Sequence, residues 1–106
     1  TVSSLLNALE TIAPARWAFD FDSVGLQVGS KNWPADKVLL SLDRSMAALD
    51  FAISTGHNVL LTHHPLFFHP LTRLDDSTYE GRFALKAVHH GISIIAAHTN
   101  WDAAPG

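Results

Sequence analysis

The run Thr62-His63-His64-Pro65 puts two adjacent imidazoles at the end of an apolar, β-forming stretch, Asn58 to Thr62. Adjacent histidines at a strand end are a metal-binding pattern. A second apolar run, Ile92 to Ala97, opens into His98-Thr99-Asn100-Trp101-Asp102, so imidazole and carboxylate again follow a strand. Consecutive side chains leaving an extended strand point in opposite directions. His63 and His64 therefore suit two neighbouring ions, or a single ion if the chain bends beside Pro65. A carboxylate such as Asp102 can bridge two divalent cations roughly 3.5–4 Å apart, a separation at which one water is activated for attack. A two-metal hydrolytic site is thus the sharper expectation, set against the commoner use of histidines as hydrogen-bonded or surface groups.

The elements that must position these residues follow from periodicity. Leu5, Leu6, Leu9 and Ile12 fall on helical spacing after Ser3 or Ser4, either of which could cap the first turn, and Pro14 stops the pattern. Asp22 to Ser30, DSVGLQVGS, reads as a strand-like segment entered and left through turns, and it matches neither glycine-rich phosphate motif. Val38 to Leu42 is a buried strand ending at Asp43. A helix from about Ser45 to Thr55 follows, with Met46, Leu49, Ala52 and Ile53 inward and Gly56 closing it.

The strand leading to His63 comes next, then a loop, Pro65 to Ser77, with Phe67, Phe68, His69 and Pro70. A helix from about Thr78 to His90 carries Phe83, Leu85 and Val88 and ends at Gly91, before the last strand, Ile92 to Ala97. The order predicts an α/β fold with an open, mostly parallel sheet and flanking helices. Ligand sites in such sheets gather beyond the carboxyl ends of the strands, where Asp43, His63, His64, His98 and Asp102 all fall.

Position also sorts the remaining groups. His89 and His90 fall in the last turn of a helix, where imidazole favours the negative dipole end, so their expected role is capping. His57 precedes its strand and lies at the wrong end of it. His98 could coordinate a metal, or orient Asp102 or a water from behind. Asp43 could be a ligand or a supporting group, with a helix cap near Ser45 its most frequent single use. Phe67, Phe68 and Arg73 could line a pocket, Arg73 pairing with phosphate, but packing and solvation are the commoner uses of such residues.

Composition bounds the classes. A chain of 106 residues, 47% apolar, holds one core. With 7 basic residues against 10 acidic ones and no basic run, no nucleic-acid footprint is expected. No apolar stretch approaches membrane-spanning length. The absence of cysteine excludes disulfides and thiol chemistry and accords with a cytoplasmic protein. The chain begins at Thr1 without an initiator methionine, which reads as an excised piece.

Together, DSVGLQVGS, SLD, THHPLFF followed by PLTRL, and HTNWDAAPG occur in the order found in the Nif-three-like proteins, the GTP cyclohydrolase 1 type 2 homologues, which the chain resembles over nearly its whole length. That resemblance implies a two-lobed α/β subunit in a toroidal homo-oligomer, commonly a hexamer, with a dinuclear metal site facing the interior. By matching position it implies His63 and His64 as metal ligands, Asp102 as the bridging carboxylate and His98 as a nearby site residue. Residues 1–106 would then be the N-terminal lobe, the second lobe supplying a further histidine and a glutamate. The implied cofactors are two divalent ions, with zinc, manganese, iron and nickel all compatible with imidazole and carboxylate.

The function expected is metal-dependent hydrolysis of a small nucleotide-like or phosphorylated substrate, guanine-ring opening of GTP being the version the resemblance supplies. The competing class is a non-catalytic metal-binding or protein-interaction module. The lobe alone is expected to bind metal weakly and to be inactive, because two ions of roughly four to six ligands each need more donors than it holds.

Overall fold

The computed structural model describes residues 1–12, 25–42, 44–63, 66 and 71–96. Its elements are α1 (Val2–Ile12), β1 (Gly25–Val28), β2 (Val38–Ser41), α2 (Met46–Ser54), β3 (Val59–Thr62), α3 (Tyr79–His89) and β4 (Ser93–Ala96). The strands form one sheet in the order β1-β4-β3-β2. β2, β3 and β4 run parallel, and β1 joins β4 antiparallel at one edge. The architecture is the α/β sheet with flanking helices that the sequence predicts.

α1 begins earlier than expected. Val2 is fully buried beside Val59 and Ile95, with Leu5, Leu6 and Leu9 packed on the same cluster, so the apolar stripe extends one step back. The cap is therefore Thr1, whose Oγ1 accepts from the Ser4 N–H at 3.3 Å, and Ser3 and Ser4 lie within the helix.

α2 and α3 each open on a hydroxyl cap: Ser45 Oγ accepts from the Ala48 N–H, and Thr78 Oγ1 from the Gly81 N–H. Both close through a glycine at positive φ, Gly56 and Gly91. The paired bonds His57 N–H to Ala52 O and Gly56 N–H to Ile53 O recur as Ile92 N–H to Ala87 O and Gly91 N–H to Val88 O. These satisfy the last helical carbonyls and turn the chain straight into β3 and β4.

The two faces of the sheet hold separate cores. Leu49, Ala52, Leu60, Leu66, Phe83, Ala84, Ala87 and Ile94 pack beneath α2 and α3, while α1 covers Val59 and Ile95 on the other face. In β1 a register shift between Leu26 and Val28 breaks the two-residue alternation. Leu26 thereby joins the α1 cluster and Val28 the opposite one.

The apolar residues of α3 divide between two flanks. Leu85 and Val88 are exposed, and Ala84 and Ala87 accompany Phe83 inward. At about 100° per residue, Leu85 and Val88 lie on a different flank from Phe83 and Ala87, and only the latter faces the sheet. No helix among the described residues is long and apolar enough to cross a membrane.

Candidate metal centre

Parallel register aligns the strand ends. Ser41 pairs with Thr62, and Thr62 with Ala96, so β2, β3 and β4 finish in one row. The Thr62 hydroxyl, almost fully buried, donates to Ile95 O at 3.5 Å across that row. The next residue, His63, is half-buried at a bend in the backbone, and its N–H donates to Ser41 O at 3.1 Å. The residue leaving β3 is thus tied to the last residue of β2.

Of the five expected site residues, His63 is the one among the described residues; Asp43, His64, His98 and Asp102 lie outside them. Among the described residues no group of three or more histidines, cysteines, aspartates or glutamates could hold a metal ion. The N-cap of α2 is Ser45. Phe67, Phe68 and His69 also lie outside the described residues, while Arg73 is exposed.

A brace that sequence reasoning missed holds Leu66, three residues after His63 in the chain. Arg44 Nη1 donates to the backbone carbonyl of Leu66, whose side chain is fully buried, and sits 3.3 Å from Glu80 Oε1 in the first turn of α3. The Tyr79 hydroxyl donates to Arg44 O, and the guanidinium carbon lies 5.9 Å from the Tyr79 ring centroid. These partners stand 22 to 36 residues apart, so no local pattern announces them. The one available hint was the adjacency of Arg44 to Asp43.

The other histidines sit at the opposite edge. His57 follows α2, its Nδ1 2.7 Å from Thr55 Oγ1. His89 ends α3, and His90 caps it through its backbone N–H to Lys86 O.

A family description, Duf34/NIF3 (NGG1p interacting factor 3), matches residues 1–106. The chain belongs to this family. A GTP cyclohydrolase 1 type 2 homolog of Clostridium perfringens is 35% identical over 105 residues, covering 99% of this chain and 40% of that protein. Among solved structures, the Staphylococcus aureus protein SA1388 superposes with a TM-score of 0.92 at 34% identity, over 98% of this chain and 34% of that one. A Bacillus cereus protein related to NIF3 gives a TM-score of 0.88 at 37% identity, over 96% of this chain and 28% of its own. This Duf34/NIF3 chain therefore spans less than half the length of each of these relatives.

Proposed function

We propose that this Duf34/NIF3 chain is the N-terminal lobe of a two-lobed protein that binds two divalent metal ions and acts as a metal-dependent hydrolase on a small nucleotide-like or phosphorylated substrate. The observation that carries the reading is the register of the strand ends. Ser41, Thr62 and Ala96 stand side by side, and Asp43, His64 and His98 each follow one of them by two residues in the chain. A backbone spans at most about 3.6 Å per residue, and neighbouring strands are about 4.8 Å apart. Covalent geometry therefore supports the reading that these three donors gather with His63 along one sheet edge. Asp102 follows His98 by four residues.

The donor set fits the group. Imidazole and carboxylate without thiolate suit zinc, manganese, iron or nickel. His63 and His64 would hold the ions, Asp102 would bridge them, and His98 and Asp43 would be further ligands or would orient those ligands from behind. When bound, the ions supply Lewis acidity and an activated water for attack on carbon or phosphorus. The bend at His63 supports a departure from strict strand alternation there, which a single shared ion would require and two neighbouring ions would not.

The homolog name supports a GTP cyclohydrolase-like reaction, whereas the family description, an interacting factor, favours a second reading: a non-catalytic metal-binding or protein-interaction module. We place the natural protein in the cytoplasm, as a toroidal homo-oligomer, a hexamer in its commonest form. Titration of the natural protein with zinc, manganese, iron and nickel, followed by assay against GTP and other nucleotides with and without chelator, separates the readings. Two ions per chain and turnover lost on chelation are expected. Metal binding without turnover would select the second reading, and absence of metal binding would overturn both.

A further inference from the structure

We propose that Arg44 is a positioning residue for the histidine pair, holding the chain after β3 so that His63 and His64 are presented in one geometry; this rests on the metal-site reading above. Both His63 and Leu66 are held in place. The His63 N–H is held by Ser41 O at 3.1 Å. Leu66 is anchored twice, by a side chain with 0% exposure in the core beneath α2 and α3 and by its carbonyl accepting from the Arg44 guanidinium. Between the two anchors lie only His64 and Pro65.

Arg44 is itself held on three counts: by Glu80 at 3.3 Å, by the Tyr79 hydroxyl on its carbonyl, and by the Tyr79 ring beneath its guanidinium. One side chain therefore joins the start of α2, the loop after β3 and the first turn of α3. A guanidinium suits this because it carries several donors on a planar, always-charged group and stacks on an aromatic face while bonding in its plane. Packing alone would not need it, since Leu66 is already buried. What the hydrogen bond adds is a fixed direction for the Leu66 carbonyl, as expected where supporting contacts tune ligand geometry.

The test compares Arg44→Met with Lys86→Met in the full natural protein. Lys86 pairs with Asp50 between α3 and α2, so its loss also removes a helix-to-helix ion pair, but away from the loop. Cobalt(II) is the probe, its visible absorption reporting coordination geometry, and amide exchange of the metal-free protein over 62–72 reports the loop. Arg44→Met is expected to weaken cobalt binding by about ten-fold or more, alter its spectrum and speed exchange in that segment, with Lys86→Met leaving all three unchanged. Arg44→Lys is expected to restore part of the affinity, and Glu80→Gln to give a smaller loss than Arg44→Met. Cobalt affinity and spectrum in Arg44→Met equal to the parent's, or equal effects from Lys86→Met, would overturn the proposal. A parent that binds no cobalt, zinc or manganese would overturn the metal reading itself, a result distinct from a parent that binds and an Arg44 variant that binds equally well.

Discussion

At the amino edge of the parallel strands, His57, His89 and His90 are absorbed into helix endings. His57 shares a hydrogen bond with Thr55 and lies 6.4 Å from the Phe51 ring, and the His89 and His90 rings meet edge to face at 4.9 Å. At the carboxyl edge, His63 stands at a bend, its N–H held by Ser41 O, and Arg44 holds Leu66 three residues on. The connections explain the contrast. The amino-edge turns, 55–58 and 90–92, are short closures dictated by helix carbonyls needing donors, whereas the carboxyl-edge segment 63–78 is long. Short closures leave backbone geometry no choice, while a long loop on a rigid row can be shaped for a ligand. Equal residue types thus meet different surroundings at the two edges.

The largest expected effect tests that division directly. In the natural protein, His63→Ala and His64→Ala are expected to lower metal affinity by more than the roughly 10- to 100-fold seen for supporting residues, and His89→Ala and His90→Ala to leave it unchanged, as read by calorimetric titration. A metal defect in either of the latter would break the comparison.

Gly29 sharpens it from the amino edge. Its φ is 115°, and an added Cβ would lie 2.5 Å from Ser93 Oγ and 3.0 Å from Ser93 Cα at the start of β4. Gly29→Ala is expected to cost at least about 1–3 kcal/mol in urea denaturation, with metal affinity of the folded protein unaltered. A smaller change of opposite sign is expected at Ser93, which is fully buried with a hydroxyl that has no hydrogen-bond partner among the described residues. Ser93→Ala removes the desolvation penalty of that hydroxyl and is expected to stabilise by about 1 kcal/mol; a loss of stability would show the hydroxyl to be satisfied.

The smallest effect is acid sensitivity. The Asn58 amide holds the Asp36 carboxyl below its ordinary value near 3.8, and the Ser77 hydroxyl and N–H do the same for Asp75. A depressed folded value means stability present in full above about 3.8 and lost as pH falls through the folded value. Asn58→Ala removes the Asp36 donor and should flatten the difference between urea midpoints at about pH 5 and pH 3; an unchanged difference would contradict the assignment.

Much of this was legible without coordinates. Alternating apolar runs and hydroxyl and glycine punctuation marked every described element to within a few residues, because those signals act over one helical turn or one strand. The rest shares a cause. Leu85 and Val88 are as apolar as Phe83, and only the sheet's position decides which flank of α3 is buried. Ser3 and Ser4 look like caps until Val2 is seen in the core. For the candidate site, the sequence could name His63, His64, His98, Asp102 and Asp43, but not Arg44, whose partners are remote in the chain.

By itself, then, the sequence determined the order and kind of elements, the imidazole and carboxylate residues that follow the strands in the chain, and the family to which the chain belongs. These depend on local periodicity, capping and motif order, all readable along one dimension. Only the tertiary structure decided that Ser41, Thr62 and Ala96 end in one row, that β1 enters antiparallel with a bulge, and that Arg44 ties Leu66 to Glu80. Those are pairings between distant segments, and their register is set by which side chains can be buried together when the chain is closed on itself.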